Sequence, residues 1–225
     1  MNLKIFSQNV FFGEKAKHLE FILKNKYDIV FLSECSPNII NALSKNYIGY
    51  INQSHCGYTY LGISTSLGAT IIETSVEVKG TIIVNIKIGI KTIALCSLHL
   101  SPYQKNSQIR AIQSKNINDI IKNMKVNHVV IGGDTNMQDH EGFEQFGFDD
   151  VDGSMDAKPT YPNRKFTHER IKSYGHNDYR YDRFYVMGVL NKKMSVLNDG
   201  DDYNWSDHFG IDLEITIQNH HYQHL

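Results

Sequence analysis

Short apolar-rich stretches, separated by glycine or polar turns, recur along this chain and predict a molecule built mainly of strands. Leu3–Gln8 alternates and runs into polar Asn9, the pattern of a strand entering a loop. Tyr27–Ser33 is nearly continuous in apolar residues, as expected of a strand buried on both faces. Further strands are predicted at Tyr47–Ile51, Tyr58–Ser64, Ala69–Val76, Thr81–Ile88, Ile90–Leu98 and His128–Ile131, the last ending in Gly132-Gly133-Asp134. Arg180–Met187, Lys193–Leu197 and Phe209–Ile217 complete the set. Helical spacing appears over Glu14–Lys26, with Ala16, Leu19, Ile22 and Leu23 on one face. Pro37 opens a short helix reaching about Lys45. A long helix is predicted at Gln104–Met124, with Ile109, Ile112, Ile117, Ile120, Ile121 and Met124 as its apolar stripe. Strand meanders broken by single helices predict an α/β (α+β) fold of two packed, mostly antiparallel sheets flanked by helices, not a doubly wound sheet. Neither GxGxxG nor GxxxxGK[ST] occurs, which removes the usual dinucleotide and P-loop readings.

Composition narrows the class further. With 41% hydrophobic and 21% charged residues, the chain is ordinary globular protein, long enough to form one core over residues 1–225. Residues 217–225 are expected to be a flexible tail, so His220, His221 and His224 carry no metal. The longest apolar runs are strand-sized, and the first ten residues lack the pattern of a signal peptide. No membrane association is expected. Cys35, Cys56 and Cys96 are scattered without CxxC spacing, which predicts free thiols, a reducing cytoplasmic or nuclear location and no zinc site.

A net charge of −1 does not advertise nucleic-acid binding, but its distribution is uneven. Residues 139–156 hold seven acids and no Lys or Arg, and read as a solvated insertion. From Asn163 to Arg183 there are six Lys/Arg against three acids, interleaved with Phe166, Tyr174, Tyr179 and Tyr181. That stretch reads either as a solvated loop or as a surface for a phosphate backbone and stacked bases.

The chemistry lies in short polar clusters at predicted strand ends: Ser7-Gln8-Asn9, Leu32-Ser33-Glu34, Ser97-Leu98-His99, Gly132 to Asn136, Arg180 to Phe184 and Ser206-Asp207-His208. Singly each has a structural explanation, such as a cap, a turn or a core histidine. Jointly they supply the carboxylates, amides and imidazoles that metal-assisted phosphoryl transfer needs.

In order and spacing, Asn9, Glu34, His99, the GDTN of 133–136 and the SDH of 206–208 resemble the endonuclease/exonuclease/phosphatase superfamily, from about Ile5 to Ile217. The nearest likeness within it is to the tyrosyl-DNA phosphodiesterase 2 type of catalytic domain. It is carried by Ile131 to Met137 with Asp139, Arg180 to Phe184, Ser206 to Gly210, Ser97 to Leu100 and the Gly57-Tyr58 turn. The resemblance implies a four-layer α/β sandwich and Mg²⁺, with Mn²⁺ able to substitute. Glu34 is then the principal metal ligand, with Asp207 contributing directly or through water. Asp134 is the general base or water-orienting group, assisted by Asn136. Asn9 and His208 donate to non-bridging phosphate oxygens, and His99 makes a further phosphate or water contact. Asp182 orients His208, or else pairs with Arg183 at the surface.

Tyr161 stands where the family has tryptophan and would wall the first nucleotide. Arg164, Lys165, Arg170 and Arg183 are phosphate-backbone candidates. Arg110 matches a family arginine and is either a substrate contact or an exposed helix charge. The first motif departs: Asn-Val-Asp-Gly is expected, and Asn9 is followed by Val10, Phe11 and Phe12, which removes a carboxylate and weakens any two-metal scheme. Gln138 replaces an expected basic residue. The activity implied is hydrolysis of a 5′-phosphotyrosyl bond between protein and DNA, as in topoisomerase-adduct repair, by a monomer that leaves a 5′-phosphate. The alternatives are an abasic-site endonuclease, an RNA-directed nuclease, or a catalytically dead nucleic-acid-binding protein.

Overall fold

The computed structural model describes residues 1–11, 15–151, 160–161, 179–197 and 206–217. Twelve strands form two six-stranded sheets. The first contains β1 (Asn2–Asn9), β2 (Ile29–Cys35), β3 (Tyr47–Gln53), β4 (Tyr58–Ser64), β11 (Asn191–Leu197) and β12 (Gly210–Thr216) in the order β11-β12-β1-β2-β4-β3. The second contains β5 (Thr70–Ser75), β6 (Thr81–Ile88), β7 (Lys91–His99), β8 (His128–Asp134), β9 (Asp149–Asp150) and β10 (Asp182–Met187) in the order β5-β6-β7-β8-β10-β9. Among the described residues each sheet has a single parallel pair, β1 with β2 and β7 with β8, and the other pairings are antiparallel. A parallel pair requires a crossover, and helices supply it: α1 (Lys15–Asn25) joins β1 to β2, and α3 (Ser107–Asn123) joins β7 to β8.

The layers follow from which faces are apolar. Ile5, Ile29, Phe31, Leu61, Val84, Leu95, Val130 and Leu213 meet between the sheets. Val30, Leu32 and Tyr60 on the outer face of the first sheet pack under α1 and α2 (Pro37–Leu43) through Ile22, Ile39 and Leu43. Ala94, Cys96, Val129 and Ile131 pack under α3 through Ile117 and Ile121. Four layers result, α–β–β–α, as expected.

Several local expectations fail for tertiary reasons. Ile109 and Ile112 of α3 are exposed, and the inward face of its first half is Arg110, Gln113, Ser114 and Asn118. Its N-terminal part covers loop backbone that Arg110 and Gln113 satisfy, at the Ser101 and Tyr103 carbonyls and the Ser101 N–H, and that isoleucines cannot. On α1, Ala16 and Leu23 are exposed while His18 and Ile22 face inward. The acidic stretch, as far as Val151, is no solvated insertion: Phe143, Phe148 and Val151 are buried. Asp150 pairs with Arg180 at 2.5 and 2.8 Å, and Asp149 with Lys192 at 2.7 Å. Ile217 is buried with its N–H on the Met1 carbonyl, so the expected tail does not include it. Residues 218–225, with the three terminal histidines, lie outside the described residues. No helix among the described residues is long and apolar enough to cross a membrane.

Gly133 is where β8 is tightest. Its φ is +136°, and a Cβ there would lie 2.1 Å from the Leu98 carbonyl oxygen on the neighbouring strand. Gly133→Ala is expected to destabilise by roughly 2–4 kcal/mol in urea unfolding. Gly89→Ala, at φ +61° with open space around it, is expected to cost only about 1 kcal/mol. Equal losses in the two variants would mean that backbone conformation alone, not the Leu98 contact, demands glycine at 133.

Candidate active site

The carboxyl ends of the two parallel pairs meet at one edge of the sandwich. Asn9 ends β1 beside Ser33 of β2, and His99 ends β7 beside Asp134, which ends β8. Glu34 lies one residue past Ser33, where the β2–β4 register breaks between Leu32 and Cys35; its φ is +56°. Such a bulge with a left-handed residue re-aims a side chain out of the sheet. The Asn9 amide ties the sheets together, with Nδ2 donating to Glu34 Oε1 at 3.1 Å and to Asp134 Oδ2 at 2.9 Å. Its Oδ1 accepts from the Phe11 N–H at 3.0 Å, which fixes the amide's orientation. Both amide protons are therefore engaged by carboxylates. The expected donation from Asn9 to phosphate is replaced by a role in holding Glu34 and Asp134 in place.

Asp134 is buried, and its Oδ1 accepts the backbone N–H of Asn136 at 3.0 Å. The Asn136 side chain turns to the Leu100 carbonyl at 3.2 Å, so this residue supports Asp134 through its backbone and not its amide. Two imidazoles face Asp134 Oδ2: His99 Nε2 at 3.7 Å and His208 Nε2 at 3.8 Å. The other His99 nitrogen, Nδ1, is 3.2 Å from Ser54 Oγ. Because that hydroxyl gives its proton to the Cys56 carbonyl at 2.8 Å, the His99 nitrogen is the donor. Burial lowers the His99 pKa below 6.5, Asp134 opposes this, and His208 adds to it.

His208 is the opposite case. Its Nδ1 donates to Asp182 Oδ2 at 2.7 Å, and Asp182 is fully buried. Burial works against its charge, but Asp182, Asp134 and Asp207 together lift its pKa to about 10. Thr160 Oγ1 accepts the Asp182 N–H at 2.9 Å. The 206–208 loop is fastened to β1, with Ser206 Oγ donating to the Asn9 carbonyl at 2.5 Å and Gln8 Nε2 to the His208 carbonyl at 3.0 Å. Asp182 is thus no surface partner of Arg183. The ring of Tyr161 lies edge-on to His208 at 4.9 Å, with Tyr181 5.6 Å from it and Tyr179 stacked on Tyr181 at 5.0 Å.

Charge balance bears on the metal. Burial raises Glu34 to about 7 although the Asn9 hydrogen bond opposes it, and the charges of Asp134 and Asp207 raise it further. Asp207 is likewise raised by burial, with His208 opposing and Asp134 adding. A partly dehydrated set of carboxylates repelling one another is what a bound cation would relieve. Among the described residues no three His, Cys, Asp or Glu side chains converge into a cage.

The arginines depart most from expectation. Arg110 is fully buried, with Nε and Nη2 on the two Glu141 oxygens at 2.6 and 2.7 Å and Nη1 on the Ser101 and Tyr103 carbonyls. Arg183 is 3% exposed and donates to the carbonyls of Arg180, Glu141, Met137 and Gln138 and to Tyr185 Oη. All five Arg183 N–H groups are thus engaged, and Arg110, with four of its five engaged, is closed off from substrate by its burial. Arg164, Lys165 and Arg170 lie outside the described residues. Ser54 and Thr160 have no local sequence signal, since each meets its partner only through tertiary pairing. Gln8 and Ser206 stand inside the motif clusters and were legible there.

No protein-family model matches the chain, and no curated protein matches it. Solved structures do. TDP2 from D. rerio, complexed with single-stranded DNA product, is 19% identical with a TM-score of 0.76, over 96% of this chain and 99% of that one. An endonuclease/exonuclease/phosphatase from Bacteroides vulgatus is 14% identical with a TM-score of 0.76, over 97% and 100%. The human Nocturnin catalytic domain with bound sulfate is 15% identical with a TM-score of 0.77, over 96% and 95%. The two-sheet sandwich, with its polar centre at the ends of the parallel pairs, is the endonuclease/exonuclease/phosphatase fold.

Proposed function

We propose that this chain is a Mg²⁺-dependent phosphodiesterase that hydrolyses the bond between a tyrosine and the 5′-phosphate of a nucleic acid strand. The observation that carries the reading is the convergence of Asn9, Glu34, His99, Asp134 and His208 from both sheets on one point, with Asp207 beside them. A phosphodiester is an anion, so hydrolysis needs positive charge at the non-bridging oxygens and a water held in line. His208, kept protonated by Asp182, presents Nε2–H to those oxygens. Asp134 Oδ2 lies beside that donor, placed to accept a proton from the attacking water. A Mg²⁺ on Glu34 and Asp207 would neutralise charge at the phosphate. A phenol leaves with a pKa of about 10 and needs no dedicated acid.

Two features favour a nucleic acid strand over other phosphodiesters. Tyr161, backed by Tyr181 and Tyr179, gives a stacking face against His208, and one structure of similar fold holds a single-stranded DNA product. The test is a single-stranded oligonucleotide with a 5′-phosphotyrosyl end, incubated with Mg²⁺ or with EDTA. Tyrosine and a 5′-phosphorylated strand are the expected products, in Mg²⁺ only. Cleavage of an abasic duplex or plain RNA, with the tyrosyl end untouched, would reassign the substrate. Binding without cleavage of any of the three would leave a nucleic-acid-binding protein.

A further inference from the structure

Arg110 cannot touch substrate, yet a buried ion pair seldom stabilises a fold by itself; it fixes a conformation. What it fixes here is the loop between β7 and α3. Its Nη1 holds the carbonyls of Ser101 at 2.9 Å and Tyr103 at 2.8 Å, while Glu141 anchors the other face of the guanidinium. Asn106 Nδ2 closes the loop on the Pro102 carbonyl at 2.5 Å. Tyr103 is thereby held at φ +73° and ψ 141°, a region that normally requires glycine.

Among the described residues, six non-glycine residues have positive φ. Lys26 and Lys125 follow the ends of α1 and α3, where left-handed residues terminate helices. Phe11 and Asn136 lie in loops of the polar centre, and Glu34 at the bulge of β2. Tyr103 remains, and burial of its ring does not offset its strain, because the residue is 62% exposed. Lys105 Nζ stands over that ring, 5.9 Å from its centroid. The loop is joined to the catalytic centre at its base, where the Leu100 N–H donates to the Asp134 carbonyl and the Asn136 amide to the Leu100 carbonyl.

We propose that Tyr103 and Lys105 form a second contact for single-stranded nucleic acid, with a base stacked on the Tyr103 ring and a backbone phosphate paired with Lys105. An aromatic face with an ammonium beside it complements a nucleotide, which offers a π surface and an anion at that separation. The proposal rests on the reading of the substrate as nucleic acid, and it concerns strand binding, not the chemical step.

The test uses the whole chain in EDTA, so that nothing turns over, and a 5′-phosphorylated single strand read by fluorescence anisotropy. Tyr103→Gly is expected to weaken binding roughly 5- to 100-fold, the range for loss of one stacked base. The same variant is expected to raise the thermal midpoint, because glycine removes the backbone strain. Tyr103→Phe should bind like the parent. Lys105→Gln should reduce the salt dependence of log K by about 0.7, one phosphate on a single strand. Unchanged affinity in Tyr103→Gly overturns the proposal, and so does a lowered midpoint accompanying the loss, which would mark Tyr103 as structural. Failure of the parent to bind the strand overturns it as well. Adding Mg²⁺ to the 5′-phosphotyrosyl strand tests hydrolysis separately: a chain that binds through Tyr103 but cuts nothing keeps this contact and loses the phosphodiesterase reading.

Discussion

Glu34→Gln is expected to lower kcat on a 5′-phosphotyrosyl strand by roughly 1,000-fold while making the metal-free protein more stable at pH 8. The two effects share one cause. Glu34 is held off the sheet by a bulge at φ +56° and faces Asp134 and Asp207 in a partly dehydrated site. Glutamine keeps the shape and can still accept the Asn9 hydrogen bond, but it removes the charge that would hold the cation.

The sign of the pH dependence follows from linkage. Burial, with the neighbouring acids, raises this carboxyl from 4.5 to about 7, so between those values the native state binds more protons than the unfolded chain. Stability therefore falls as pH rises through that window and stays reduced above it. The gain from Glu34→Gln should be absent at pH 4 and reach at most about 3 kcal/mol at pH 8, read by urea unfolding in EDTA. A gain of equal size at both pH values would show that packing, not charge, is responsible. A loss of kcat under tenfold would remove Glu34 from the metal site.

Much of this centre was legible because the fold places it at strand ends. Asn9, Glu34, His99 and Asp134 each close an apolar run, and a run that stops at a polar residue is visible without tertiary information. The parallel pairs then bring those four ends together, a consequence of the two helical crossovers. Gly132-Gly133 before Asp134 was readable as a motif, and the close approach of the Leu98 carbonyl supplies its reason.

The arginines were misread for the converse reason. A sequence shows that Arg110 and Arg183 are cationic, but whether their donors face solvent or carbonyl groups depends on Glu141, Met137 and Gln138, some 31 to 46 residues away in the chain. The same holds for α3. Its isoleucines have helical spacing, yet its first half covers polar loop backbone, and the preference for satisfied carbonyls overrides the apolar stripe. Arg110 consequently changes its meaning, from a substrate contact to the support of the loop that carries Tyr103.

Asp182→Asn is expected to lower kcat at pH 8 by roughly 100- to 1,000-fold, although Asp182 need not touch the phosphate. It is fully buried, accepts from His208 Nδ1 at 2.7 Å, and is the leading influence raising His208 to about 10 against the penalty of burial. Among the described residues its Oδ1 has no hydrogen-bond partner. An amide there cannot hold an imidazolium, and burial then drives the ring towards its neutral form. Neutral His208 loses its charge-assisted donation at Nε2 or turns its tautomer the wrong way.

For the parent, His208 is raised from 6.5 to about 10, so its contribution to stability is complete below about 6.5 and is lost as pH rises through 10. The variant should lose the Asp182 share of that contribution, and the alkaline limb of its pH–rate profile should begin at lower pH. NMR titration of the His208 ring in the metal-free variant reads the same shift without turnover. A variant with reduced kcat but an unmoved alkaline limb and an unmoved titration would show that Asp182 only braces the 206–208 loop. His208 would then owe its charge to Asp134 and Asp207, the other acids that face it.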